Sequence, residues 1–234
     1  PELDVTPLLP PEKAQYFQNL IGILRWIIEL GRMDIHVHVA MLSSFLAAPR
    51  EGHLQEAFHI FSYLKRYRKS TMVFDDTLPS VTNVHFQDSA DWSDFYGDAQ
   101  EKVPLNAPAS RGNPVNMYCF CDSDHAGDRL TRRSHSGIII FLNRSPIIWY
   151  SKKQNTVESS TFGAEFVALR IAIELIESLG IPIEGACSVF CDNESAVKNA
   201  SIPESTLRRK HNSIAYHRVR ESAAAGVVKI GYIH

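Results

Sequence analysis

The sequence predicts a mixed α/β fold preceded by a short helical region, and two observations carry that expectation. Apolar residues recur at helical spacing through residues 11–68, and from Asn116 onward strand-like runs alternate with helices. The 234 residues are 44% hydrophobic and 21% charged, a balance that supports a globular core rather than wholesale disorder.

In the first region Leu20, Ile23, Leu24, Ile27 and Ile28 share a helical stripe. A second run passes through Val37, Met41, Leu42 and Phe45. Pro49 and Gly52 punctuate, and a third helix follows with Leu54, Phe58, Ile60, Phe61 and Leu64. Its basic end (Lys65, Arg66, Arg68, Lys69) suits a helix C-terminus. Residues 71–74 read as a short strand, after which polar, proline-bearing sequence reads as a connector. Strands are then expected at 115–122, 137–142 and 147–150, the last two joined by the turn at 143–146. A long helix over 159–179, a strand at 188–192 and a short helix from Glu194 follow. A helix over 205–225, ended by Gly226, leads to a last strand at 227–233. The organisation is thus 1–70 helical, 71–114 connecting and 115–234 α/β.

Composition narrows the function. A net charge of −2 excludes a general cationic coat, so any nucleic-acid contact must come from local basic clusters. The four cysteines, Cys119, Cys121, Cys187 and Cys191, lie in apolar strand-like segments without the CxxC and histidine spacing of a zinc site. They read as buried, reduced thiols of an intracellular protein. The apolar stretch around residues 20–30 is too short and interrupted to span a bilayer, no signal-peptide pattern opens the chain, and no membrane partner is expected. Opening on Pro1, the chain reads as a piece of something longer.

Three acidic residues stand where a solvated charge would be odd. Asp122 closes the run 117–121 and Asp192 closes the run 187–191, and ligands of open α/β sheets commonly bind beyond the carboxyl ends of strands. In the long helix Phe162, Phe166, Leu169, Ile173 and Ile176 form the inward stripe. Glu165 falls at its margin and Glu174 on the far side. Each has an ordinary reading: a turn or helix cap for the aspartates, a surface position for the glutamate. Their order across strand, helix and strand is what suggests a shared site. Hydrolysis of a phosphodiester by water suits a pair of divalent ions held by carboxylates. Ser159, Ser160 and Thr161 have no partner histidine and read as a helix cap.

The wording around these residues is specific. CDSDHAGDRLTRRSHSG at 121–137, PIIWYSKKQNTVESSTFGAEFVAL at 146–169, CDNESAVKNA at 191–200 and KHNSIAYHRVRE at 210–221 resemble the ribonuclease H region of copia-type retrotransposon polyproteins, in the same order. YFQNLIGILRW at 16–26, GRMDI at 31–35 and APREGHLQEAFHIFSYLKRY at 48–67 resemble the last part of that family's reverse transcriptase, the helical region after its palm. The resemblance implies a ribonuclease H-like mixed five-stranded sheet flanked by helices, after a small thumb-like helical region. It implies Asp122, Glu165 and Asp192 as catalytic metal ligands for two Mg2+ or Mn2+ ions, and Asp124 and Asp128 as structural or phosphate-facing. Its partners would be an RNA–DNA hybrid and the rest of the Pol polyprotein, the reverse transcriptase palm and integrase, in a cytoplasmic particle or the nucleus.

Two departures are visible. The family's fourth acidic residue follows the last strand in an Asn-x-Ala-Asp segment, and His234 comes before it. The stretch between Ile176 and Gly180 is shorter than the family's. These leave a second reading open, an inactive remnant or co-opted nucleic-acid-binding fragment. The basic residues grouped around the carboxylates are candidate phosphate contacts: Arg129, Arg132 and Arg133, then Lys152 and Lys153, then Arg209 and Lys210 with Arg208, Arg218 and Arg220. Hybrid recognition would follow groove shape and 2′-hydroxyls rather than base identity. His211 and His217, six apart, read as structural or phosphate-contacting, and Trp26, Trp92 and Trp149 as core or interface residues.

Overall fold

The computed structural model describes residues 4–87, 90–100, 106, 115–181, 183, 185–206 and 213–234. Arg208, Arg209, Lys210 and His211 lie outside the described residues. The chain divides into two units. One contains residues 1–73, 126–135 and 150–157, and the other contains 74–125, 136–149 and 158–234.

The first unit holds α1 (Pro11–Glu29), a 3-10 turn (Met33–Ile35), α2 (His36–Ser43) and α3 (Glu51–Arg66). Pro11 opens α1 at a position whose N–H would have no helical partner anyway. The core phase of α1 is Phe17, Leu20, Ile21, Leu24 and Ile28, at the 3–4 residue spacing of one helix face. Ile23, expected in that stripe, is half exposed. On α3 the buried residues are His53, Ala57 and Ile60, whereas Phe58 faces outward. The α3 face is turned because His53 caps the helix: its Nδ1 accepts from Arg50 N at 3.0 Å while its ring stacks on Phe45, 4.0 Å between centroids. That stacking draws the histidine inward in place of its apolar neighbours. Trp26, expected in the core or at an interface, is 66% exposed.

The second unit carries the body of a six-stranded mixed sheet in the order β1-β6-β5-β2-β3-β4. β2 (Met117–Ser123), β3 (His135–Leu142) and β4 (Ser145–Lys153) run in sequence, with β2 and β3 antiparallel. β5 (Cys187–Cys191) lies parallel to β2, and β6 (Val228–Ile233) parallel to β5. These five strands give the mixed five-stranded sheet that the resemblance implied. The sixth, β1 (Val84–Phe86), pairs antiparallel with β6. The strand expected at 71–74 is not formed; those four residues are irregular. β1 was missed because three residues cannot display an alternation.

Alternation sorts the sheet into two faces. Cys119, Cys121, Cys187, Val189 and Cys191 are buried on the face covered by α5 (Thr161–Leu179). Tyr118, Phe120 and Phe190 form a ring cluster with Phe86, the centroids 5.0–6.5 Å apart. Ser160 caps α5 by accepting from Gly163 N at 3.2 Å, so the serine run is a cap as its composition suggested. Gly180 ends the helix in the left-handed conformation. Gly231 admits Phe86: a Cβ there would stand 2.8 Å from the Phe86 ring.

The helix α7 (Ser213–Ala224) supplies a further correction. Arg220, counted among the phosphate-facing cations, is 2% exposed. Its guanidinium donates to the carbonyls of Asn199 at 2.7 Å, Ile202 at 2.8 Å and Pro203 at 2.5 Å. It lies over the rings of Tyr216 and Trp92 at 4.7 and 4.8 Å. Arg220 therefore closes the end of α6 (Glu194–Ser201) against α7 and is a structural residue. Trp92 is thereby placed too, as a cation-stacking partner. Arg218 is engaged with Glu177. Replacing Arg220 by Ala strands three carbonyls, and a loss of about 3 kcal/mol or more is expected in urea denaturation. Arg220→Lys is expected to recover little of it, since an ammonium lacks the planar fork that spans three acceptors.

Candidate metal centre

β2 and β5 lie side by side with Phe120 opposite Phe190, so two residues further on Asp122, still paired with Gly137 of β3, comes level with Asp192, the first residue past β5. Both keep solvent access. Glu165 reaches them from the first turns of α5 and is only 3% exposed. The sequence had it at the stripe's margin; it lies within the buried face, and Glu174 lies outside, paired with Arg170 at 2.7 Å.

Two donors fix the Glu165 carboxylate. Ser123 N donates to Oε1 at 3.3 Å and Cys191 Sγ donates to Oε2 at 3.6 Å. The ligand atoms of Glu165, Cys191 and Asp192 all lie within 4.8 Å of one another. Asp122 is outside that tight group but couples electrostatically to both other carboxylates. The capping alternative for Asp192 is resolved by its neighbour: Asn193 accepts from Ala196 N at 3.0 Å and is the N-cap of α6. Cys191 was missed because strict alternation would set it on the face opposite Asp192; the strand ends at Cys191 and the rule ends with it.

The electrostatics are those of crowded like charges. Burial, then Asp122 and Asp192, push the Glu165 carboxyl up to about 7. Asp122 is also raised, by partial burial and by Asp192. Among the described residues, no Lys, Arg or His lies within ion-pair distance of Asp122, Glu165 or Asp192. Three carboxyl groups without a counter-charge are a donor set that fits a hard divalent cation.

Asp128 belongs elsewhere. It accepts from Leu130 N at 2.9 Å and Thr131 N at 3.1 Å, and it pairs with Lys153. Burial alone would raise it, but these bonds hold it well below the usual carboxylate range. It is the anchor of the 128–133 loop. That loop carries Arg129 and Arg132 exposed and Arg133 half-buried. Arg133, Lys152 and Lys153 also line a cavity of about 590 Å³ with Arg25, Glu29 and His36. His217 accepts or donates a 2.8 Å hydrogen bond with Tyr96 Oη, a structural contact.

No protein-family model matches the chain. It is 26% identical, over 97% of its length, to the retrovirus-related Pol polyprotein from transposon RE1 of Arabidopsis thaliana. It is 30% identical over 95% of its length to the corresponding polyprotein from transposon RE2 of the same plant. The chain spans only 14% and 13% of those relatives. Among solved structures, LC11-RNase H1 in complex with RNA/DNA hybrid overlaps 51% of this chain and 84% of its own, with 15% identity and a TM-score of 0.42. The foamy viral protease-reverse transcriptase in complex with RNA/DNA hybrid overlaps 76% of this chain and 23% of its own, with 15% identity and a TM-score of 0.36.

The raised Glu165 has a thermodynamic consequence with a definite sign. Its folded value of about 7 lies above its ordinary 4.5, so the folded state holds the proton more tightly than the unfolded chain. The corresponding stability is complete below about 4.5 and is lost as pH rises through about 7. In chelator, melting temperature should therefore fall across that window, with Asp122 adding the same sign at its acid end. Glu165→Gln should flatten most of the slope; an unchanged slope would remove Glu165 as its source.

Proposed function

Starting from a chain homologous over nearly its whole length to the retrovirus-related Pol polyproteins of copia-type transposons, we propose that it carries a ribonuclease H-type nuclease acting on the RNA of RNA–DNA hybrids. The observation that carries this reading is the convergence of Glu165 and Asp192, with Asp122 coupled to both, at the ends of two adjacent parallel strands. Asp122, Glu165 and Asp192 would hold the metal, Mg2+ or Mn2+ and as a pair of ions. When bound, it supplies Lewis acidity and a nucleophile derived from water.

The protein's own contribution is placement. Ser123 N–H and the Cys191 thiol hold one Glu165 oxygen each, so the buried carboxylate meets a cation without a rotamer search. Asp122 and Asp192, both solvent-accessible, present the open side to a phosphate. Residues 1–70 would be the thumb-like end of a reverse transcriptase, 71–114 a connector and 115–234 the nuclease. Arg129, Arg132, Arg133 and Lys152 would meet the hybrid's phosphates, with Lys153 already committed to Asp128.

Cleavage of a labelled RNA–DNA hybrid in Mg2+ or Mn2+ is the direct test. Asp122→Asn is expected to lower the rate by more than about a hundredfold, beyond the 10–100-fold usual for a residue that only orients a ligand. A folded chain that cuts nothing in either ion would leave the inactive-fragment reading. A second measurement separates binding from chemistry: Arg133→Ala and Lys152→Ala should each reduce the salt dependence of hybrid affinity by about one unit of slope, uniformly across base sequences.

A further inference from the structure

The carboxylate cluster contains one donor that oxygen-seeking cations do not use. Cys191 is fully buried, yet its Sγ belongs to the group of ligand atoms within 4.8 Å of one another. In a tetrahedral zinc centre, with Zn–S of about 2.3 Å and Zn–O of about 2.0 Å, the S···O edge is roughly 3.5 Å. Cys191 Sγ and Glu165 Oε2 are already 3.6 Å apart. The sulfur also receives a hydrogen bond from Asn193 N at 3.5 Å. Asp192 is exposed, which leaves a way in and room for water at a fourth position.

We propose that Cys191 makes this centre a mixed thiolate–carboxylate site for thiophilic divalent cations, zinc and cadmium foremost, with Glu165 and Asp192 as its oxygen ligands. The proposal rests on the reading that these carboxylates hold divalent ions, and it adds a ligand and a selectivity. Binding forms one sulfur–metal bond and releases the thiol proton to solvent, with no electron transferred. Magnesium, which takes oxygen ligands, leaves the thiol protonated. Zinc would therefore compete with magnesium for Glu165 and Asp192 while using a contact magnesium does not make.

The test uses the whole chain under reducing conditions, with Co2+ as a spectroscopic stand-in for zinc. A near-ultraviolet sulfur-to-cobalt charge-transfer band is expected, lost in Cys191→Ser and kept in Cys187→Ser. By calorimetry, Cys191→Ser should bind Zn2+ at least about tenfold more weakly. Its Mn2+ affinity, read by electron paramagnetic resonance, should fall far less than its Zn2+ affinity, by no more than the loss of the thiol's hold on Glu165 accounts for. Absence of the band, its persistence in Cys191→Ser, or equal zinc affinity in the two proteins overturns the proposal. Failure of Mn2+ to bind the unsubstituted chain sinks the carboxylate reading instead. If Cys191→Ser does not fold, cadmium-113 resonance of the unsubstituted chain decides: a sulfur-shifted line supports the thiolate, an all-oxygen shift refutes it.

Discussion

The parallel pairing of β2 with β5 is the constraint on which the site depends. Parallel neighbours cannot be joined by a tight turn, so the chain must leave the sheet and return. Between the two strands it builds β3, β4 and α5. The same crossover lays α5 across the strands and brings Glu165 down onto their ends. A register shift of one residue between β2 and β5 would turn Asp122 or Asp192 into the sheet's covered face. The buried cysteines resist such a shift, because they fill the layer beneath α5, where a charged side chain would be desolvated.

The site concentrates negative charge in a place that folding alone would avoid. Glu165 is buried among two other carboxyl groups and is consequently pushed toward its neutral form. Elsewhere the molecule handles buried charge differently. Asp128 is matched by Lys153 and by loop amides, and Arg220 by three carbonyls and two rings. The contrast marks the carboxylate cluster as a place where, among the described residues, buried negative charge meets no opposite charge, the pattern expected where electrostatics serve binding rather than stability.

Much of this was legible in the sequence because its signals were local. Strand runs, the serine cap before α5, Gly180 and the phase of Glu165 against Glu174 each follow from a few neighbouring residues. What escaped notice depended on distant partners. Arg220 looked like one more cation on a basic helix, and nothing near it reveals the carbonyls of residues 199–203 or the ring of Trp92. His53 took an apolar residue's place through a cap and a ring stack. Cys191 was hidden by the alternation rule itself, which stops applying where a strand stops. Trp26 shows the converse, a large apolar side chain that burial did not claim.

β1 carries a consequence for where the second unit begins. Its three residues cover the outer margin of β6, and Phe86 seats on Gly231 while Lys229 lies over the Phe86 ring at 4.3 Å. A fragment starting at residue 115 would therefore present β6 as a bare border of unpaired amides and carbonyls, a template for joining another chain. β1 is in that sense a selvage: it finishes the sheet along β6 and keeps neighbouring molecules from being stitched to that strand.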